Sequence, residues 1–148
     1  MAQGLPDDGK LTCIDINEEF IKIAQRYWKE AKVEHKVDVV LGSGLEVLTD
    51  WVSKKEMLES FDFGFIDADK PNQPAYQNLS LQLLRPGGFL ILDNMFFNGK
   101  IIDPEFENQD QTQGIKKSMS EALALPGEKY SVHTVTIGDG VTFIYKHY

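Results

Sequence analysis

The chain has 148 residues, of which 42% are hydrophobic and 26% charged, and its formal net charge at pH 7 is -8. This composition is typical of a folded globular protein and excludes a disordered chain. The negative charge argues against binding to nucleic acid or to anionic membranes, and no apolar run reaches the roughly 18 residues of a membrane span. With one cysteine, Cys13, and no signal-peptide pattern at the first residues, we expect a cytoplasmic protein without an internal disulfide.

Strand-like and helix-like segments alternate along the chain, with no repeat or linker between them. Short apolar runs predict strands, and apolar residues at helical spacing predict helices. The predicted strands are Lys10–Ile16, Val37–Leu41, Phe61–Ile66, Phe89–Leu92, Tyr130–Ile137 and Val141–His147. The predicted helices are one that follows Asn17, one from about Glu46 to Leu58, one from about Pro74 to Leu84, and one near Gln111–Leu125.

Local signals at the element ends support these boundaries. Asn17 is a typical N-cap, and one face of the helix that follows it is apolar, formed by Phe20, Ile23, Ala24, Tyr27 and Ala31. The run Arg85-Pro86-Gly87-Gly88 is a strong breaker between a helix and the next strand. Gly138-Asp139-Gly140 lies between two apolar runs and predicts a hairpin.

The alternation of strands and helices predicts an α/β fold with a mostly parallel sheet, helices on both faces and a C-terminal antiparallel hairpin at the edge. In such sheets, ligands bind beyond the carboxyl ends of the strands. Asp15, the segment Gly42–Gly44, Asp67 and Asp93 all follow strands directly, so we expect them to share one rim.

Three oxygen-bearing side chains at this rim, Asp67, Asp93 and Asn94, form a set that suits Mg²⁺ or Ca²⁺. The alternative is that they only cap the turns after their strands. Lys70 follows Asp67 by three residues and is either a general base beside a cation or a solvated surface lysine.

Asp15 has two interpretations as well, a ligand for the hydroxyls of a ribose or a charge that favours the start of the next helix. The glycines at positions 42 and 44 either let the backbone approach a flat base or form an ordinary turn.

Five segments together, LTCIDIN, LGSGLEVL, FDFGFIDADK, LLRPGGFLILDN and IGDGVTF, resemble the cation-dependent class I O-methyltransferases, which include the caffeoyl-CoA and catechol O-methyltransferases. The resemblance covers essentially the whole chain and implies a Rossmann-like methyltransferase domain over residues 1–148. It implies S-adenosylmethionine as methyl donor, a divalent cation (Mg²⁺ first, with Mn²⁺ or Ca²⁺ as alternatives) and a small aromatic acceptor with two adjacent hydroxyls. It also implies a homodimer.

The resemblance assigns roles to individual residues. Asp15 matches the acid that binds the donor ribose, and Ser43, Gly44 and Leu45 match the segment against its adenine. Asp67, Asp93 and Asn94 match the metal ligands, and Lys70 matches the general base. Asp67 and Asp69 also match residues that lie near the donor in such enzymes. The segment MFFNGKI matches the stretch that helps wall the acceptor pocket.

The family has further chain before the point that matches Met1, including a glycine-rich strand between those ending at Asp15 and Asp67. Three outcomes are consistent with this: the two flanking strands pair directly, another chain supplies a strand, or the sequence is a piece of a longer protein. We expect the last. Poor donor binding by these residues alone is then expected. The competing hypotheses are a catalytically inactive product that acts as a binding or dimerising module, and a different Rossmann-like nucleotide binder such as a dehydrogenase.

Overall fold

The computed structural model describes all residues from 1 to 148, and they divide into two compact units, residues 1–47 and 48–148. Strands β1 (Leu11–Asp15) and β2 (Val37–Leu41) form a parallel pair in the first unit. Helix α1 (Glu18–Glu30) connects them, and α2 (Gly44–Val52) starts after β2. The Asn17 side chain accepts hydrogen bonds from the backbone amides of Glu19 and Phe20, which confirms the predicted N-cap.

The apolar face predicted for α1 is largely open to solvent. Phe20, Ile23 and Tyr27 are 62%, 51% and 54% exposed, and Ile21 is the one buried residue of the helix. The better covered side of α1 carries Ile21, Ala24 and Trp28, so of the five residues predicted for the apolar face only Ala24 lies on it. A helical period identifies an apolar face but does not determine which side of the helix a neighbour covers.

Residues 48–148 contain a four-stranded sheet in the order β3-β4-β6-β5. The strands are β3 (Phe61–Ile66), β4 (Leu84–Leu92), β5 (Tyr130–Val135) and β6 (Val141–Lys146), and the helices are α3 (Gln73–Leu83) and α4 (Asp110–Leu123). β3 and β4 are parallel, whereas β6 is antiparallel to both β4 and β5, so the predicted hairpin at the edge is confirmed. No helix in the structure is both long enough and apolar enough to cross a membrane.

One face of this sheet forms the core of the unit. Leu90, Leu92 and Ile144 are fully buried and Ile66 is 7% exposed, as expected for alternate residues of neighbouring strands on the same face. Phe65 and Phe89, in the alternate positions, remain 40% and 37% exposed. The two faces of the sheet therefore differ strongly in how well they are covered.

Three predicted boundaries were wrong. β4 begins at Leu84 and runs through the predicted breaker, because the residue before a proline favours extended backbone and Gly88 lets the chain pass close to β3, where a Cβ would lie 2.9 Å from the Asp62 carbonyl. The helix expected to reach Leu58 ends at Val52. β5 ends at Val135, so Ile137 is 67% exposed instead of continuing the strand.

β1 pairs only with β2, and β3 pairs only with β4. Direct pairing of the strands that end at Asp15 and Asp67, one of the three outcomes considered from the sequence, therefore does not occur.

Candidate active site

The ends of β3 and β4 bring Asp67 and Asp93 to neighbouring positions. The register pairs Ile66 with Leu92, and the Asp93 amide donates to the Ile66 carbonyl at 3.1 Å. Adjacent strands lie about 4.8 Å apart, so the two residues that follow this last pair start close together. The sequence prediction that these two acids meet at one strand edge agrees with this register.

Lys70 lies between the two strand ends. Lys70 is only 8% exposed. Its Nζ donates a hydrogen bond to the Asp93 carbonyl oxygen at 3.1 Å and lies 3.6 Å from Oδ1 of Asp67. A buried ammonium needs such partners, because burial without them costs several kcal/mol, of the order of 5. Lys70 is thus not the solvated surface lysine that was one of the two alternatives.

Asn94 follows Asp93 in a left-handed backbone conformation, with φ of 57°. Its amide donates to Oδ1 of Asp93 at 2.7 Å. Asparagine tolerates this conformation better than most residues, and such outliers concentrate at functional sites. This hydrogen bond fixes the Asp93 carboxylate directly after the end of β4.

The side chains at these strand ends carry oxygen donors of the kind that a hard divalent cation takes. The structure holds no group of three or more His, Cys, Asp or Glu side chains that could hold a metal ion, so a cation here would depend on two carboxylates and the Asn94 amide oxygen. The Asp67 side chain is 54% exposed and Asp93 is half-buried, and oxygen ligands with open positions for water or substrate suit Mg²⁺.

Asp69 has a structural role that sequence reasoning missed. Its Oδ2 accepts hydrogen bonds from the Asn72 amide at 3.3 Å and from the Asn72 side chain at 2.6 Å, and its Oδ1 accepts one from the Tyr76 hydroxyl at 2.6 Å. Burial of Tyr76 first, and then this hydrogen bond, raise the pKa of Tyr76 to about 12. Asp69 therefore caps the 3₁₀ turn Lys70–Asn72 that carries Lys70, and its contact with a donor stays a prediction.

Asp15 and the segment after β2 come together in residues 1–47. Asp15 pairs with Leu41, its carbonyl accepts from the Gly42 amide at 2.9 Å, and its Oδ1 accepts from the Asn17 amide at 2.8 Å. Asp15 thus helps to fix the entry to α1 through one of its two carboxylate oxygens. That Asp15 shares a rim with Asp67 stays a prediction.

The segment Ser43–Leu45 forms the start of α2. The Ser43 carbonyl accepts from the Val47 amide at 3.0 Å, and the Ser43 side chain lies 3.5 Å from the Glu46 amide, the limit for a hydrogen bond. An ordinary helix entry explains these contacts. The placement of Ser43, Gly44 and Leu45 beside an adenine therefore stays a prediction.

The loop after Asn94 is held by the β5–β6 turn. The Phe96 amide donates to the Asp139 carbonyl at 2.9 Å, and the Asn98 amide donates to the Asp139 carboxylate at 2.5 Å. This loop and the β5–β6 turn line a cavity of about 630 Å³, formed by Phe96, Asn98, Gly99, Ile101, Ile102, Gly138 and Asp139. The resemblance implies that this loop helps to wall the acceptor pocket, which stays a prediction. No sequence signal indicated that Asp139 holds the loop.

Comparison with known proteins decides the family. The model of a family described as O-methyltransferase matches residues 1–147. The chain belongs to this O-methyltransferase family. The resemblance inferred from the five sequence segments is thus confirmed.

Individual members of the O-methyltransferase family show how far the similarity extends. Caffeoyl-CoA O-methyltransferase 2 of Zea mays is 36% identical over 95% of this chain, which spans 54% of the maize protein. The structure of the O-methyltransferase TomG from Streptomyces achromogenes, involved in tomaymycin synthesis and solved with S-adenosylmethionine, has a TM-score of 0.86 at 28% identity, over 99% of this chain and 66% of TomG. An O-methyltransferase from Bacillus cereus, solved with S-adenosylhomocysteine, has a TM-score of 0.84 at 32% identity, over 98% of this chain and 66% of the other.

These structural similarities confirm the predicted Rossmann-like methyltransferase fold. The chain spans between about half and two thirds of the length of the relatives it matches.

Proposed function

We propose that this chain takes part in methyl transfer from S-adenosylmethionine to a hydroxyl of a small aromatic acceptor with two adjacent hydroxyls, assisted by a divalent cation. The observation that carries the proposal is the position of Lys70 Nζ, 3.1 Å from the Asp93 carbonyl and 3.6 Å from the Asp67 carboxylate. An amine held between the Asp67 carboxylate and the Asp93 backbone carbonyl lies next to the residues that would hold the cation, where a general base would act.

Asp67, Asp93 and Asn94 would hold the cation, which when bound lowers the pKa of an acceptor hydroxyl and fixes its direction. Lys70, in its neutral amine form, would take up the hydroxyl proton at its Nζ and become the ammonium. The methyl group then passes from the donor sulfur to the acceptor oxygen, and the sulfur keeps the bonding electron pair. Orientation supplies much of the acceleration in reactions of this type, up to about 7–11 kcal/mol.

Two further parts of the chain have roles in this proposal. The second carboxylate oxygen of Asp15 would accept from the ribose hydroxyls of the donor, with Ser43, Gly44 and Leu45 beside the adenine and Asp69 near the donor. The cavity beside Phe96, with the side chains of Ile101 and Ile102, offers an apolar wall for the acceptor ring. A homodimer and a cytoplasmic location remain predictions from the sequence.

The test is a methyl-transfer assay with isotopically labelled S-adenosylmethionine and catechol or caffeoyl-CoA, with Mg²⁺ or with EDTA. We expect labelled product only with the cation, and none from Lys70→Met. A control, Lys117→Met, changes a lysine whose side chain is 68% exposed. Transfer that continues in EDTA, or in Lys70→Met, contradicts the mechanism. Titration of the donor in the same samples tests the expectation that these residues bind it weakly.

A further inference from the structure

Helix α4 makes its closest approach to the turn that carries Lys70 at a glycine. A Cβ built on Gly114 would lie 2.0 Å from the Lys70 carbonyl oxygen, 2.7 Å from the Lys70 carbonyl carbon and 2.9 Å from the Cα of Pro71. The atoms it would meet are backbone atoms, which cannot rotate away as the end of a side chain can. Any side chain at position 114 therefore requires the helix and the turn to separate.

The same turn is fixed on its other side by the Lys70 side chain. Its Nζ donates to the Asp93 carbonyl at 3.1 Å, and the Asp69 carboxylate caps the turn through Asn72 and Tyr76. The backbone of Lys70 thus lies between α4 and the end of β4. A shift of the backbone away from α4 changes where Nζ lies relative to Asp93 and Asp67.

Glycine at position 114 is unfavourable for the helix in which it lies. Glycine in a helix interior costs stability relative to alanine, and Gly114 is in the interior of α4 (Asp110–Leu123). Helix propensity alone would favour alanine here. The close approach to Lys70 gives a physical reason for glycine that propensity does not.

We propose that Gly114 is a positioning residue that sets the location of Lys70 at the ends of β3 and β4. This inference rests on the proposed function for its effect on catalysis, but the position of Lys70 can be measured without catalysis. A Cβ at position 114 must move from 2.0 Å to an ordinary contact of about 3.5 Å, so the turn shifts by more than about 1 Å. A misplacement of about 1 Å can lower a reaction rate by about a hundredfold.

The experiment compares Gly114→Ala with Gly127→Ala in the full chain. A Cβ at Gly127 meets nothing within 4 Å, so this control adds the same methyl group in open space. Amine acylation read by mass spectrometry measures how accessible Lys70 is, with Lys117 as internal reference. We expect several-fold faster labelling of Lys70 in Gly114→Ala, unchanged labelling of Lys117, and no change in Gly127→Ala.

Methyl transfer separates this inference from the proposed function. If Lys70 is the base, Gly114→Ala lowers kcat by up to about a hundredfold and leaves the acceptor KM unchanged. Faster labelling of Lys70 with an unchanged kcat would support the positioning role and contradict Lys70 as base. Labelling equal to that of the unsubstituted chain, in a folded Gly114→Ala, overturns the positioning role.

A second variant decides the matter if Gly114→Ala does not fold. Ile115 is 1% exposed, and Ile115→Ala loosens α4 without adding an atom against Lys70. If α4 holds the turn in place, amide hydrogen exchange in α4 and labelling of Lys70 rise by the same factor in this variant. Faster exchange in α4 with unchanged labelling of Lys70 overturns the inference.

Discussion

The hydrogen bond between Tyr76 and Asp69 gives a prediction that the structure quantifies. Tyr76 is 6% exposed, and its hydroxyl donates to the Asp69 carboxylate at 2.6 Å. A hydrogen bond to a charged group contributes about 1.5–3 kcal/mol. Asp69 is itself exposed and keeps both bonds from Asn72, so we expect Tyr76→Phe to lower the free energy of unfolding by about 1.5 kcal/mol at pH 8, the low end of that range.

The effect has a defined pH dependence. Burial and the bond to Asp69 raise the pKa of Tyr76 from 10.0 to about 12, which means that folding favours the protonated hydroxyl. The stability linked to Tyr76 is therefore complete below pH 10 and is lost as the pH rises from 10 towards 12. A difference of two in pKa corresponds to a loss of at most about 2.7 kcal/mol.

The assay is urea unfolding between pH 8 and pH 12, followed by tryptophan fluorescence, for the unsubstituted chain and Tyr76→Phe. We expect the difference between them to shrink above pH 10, since the phenylalanine has no proton to lose. Tyr27→Phe, at a residue that is 54% exposed, serves as the control. A difference that stays constant over this pH range, or no difference at pH 8, would refute the reasoning.

Three further predictions concern residues 48–148. Leu90→Ala empties a fully buried position and should cost about 2–5 kcal/mol in urea unfolding; a cost below about 1 kcal/mol would contradict its place in the core. Gly140→Ala should lower the melting temperature, because φ is +80° and a Cβ would lie 2.6 Å from the Phe96 ring; an unchanged value would contradict this packing. Lys146→Met should lower the free energy of unfolding by about 1–3 kcal/mol, because Nζ donates to the Leu84 carbonyl at 2.7 Å and to the Glu59 carboxylate at 2.9 Å. Glu59→Gln should lower it by less than about 1 kcal/mol, because the Glu59 side chain is 55% exposed, whereas that of Lys146 is 14% exposed. Equal losses in the two variants would contradict this difference.

The strand-end acids could be predicted from the sequence because the relevant signals are local. An apolar run that ends in a carboxylate marks both the strand and the end of the strand, and parallel pairing then brings two such ends together. Asp67 and Asp93 were found in this way. The burial of Lys70 cannot be predicted in this way, because the spacing of a lysine from an acid does not determine how exposed it is.

The contacts that position Lys70 and the loop after Asn94 could not be predicted from the sequence. Some join residues that are distant in the chain, and one is a hydrogen bond between residues whose spacing follows no known pattern. Gly114 lies against Lys70 across 44 positions, and Asp139 holds Asn98 across 41. Tyr76 follows Asp69 by seven residues, a spacing that marks no familiar cap. Pro86, Gly87 and Gly88 predict a break between a helix and the next strand when only local sequence is considered. In the structure, β4 includes these residues because the strand pairs with β3.

The most direct test of the account is the binding of Mn²⁺, followed by electron paramagnetic resonance of the free ion. We expect one site in the unsubstituted chain. Its affinity should be weakened about tenfold or more in Asp67→Asn and in Asp93→Asn, since each removes a charged oxygen ligand. Asp62→Asn is the control. Asp62 lies near the start of β3, the strand that precedes Asp67, and its side chain is 75% exposed, so this variant should leave the affinity for Mn²⁺ unchanged. Equal affinity in all four proteins, or no binding by the unsubstituted chain, would contradict the claim that these strand ends hold a cation.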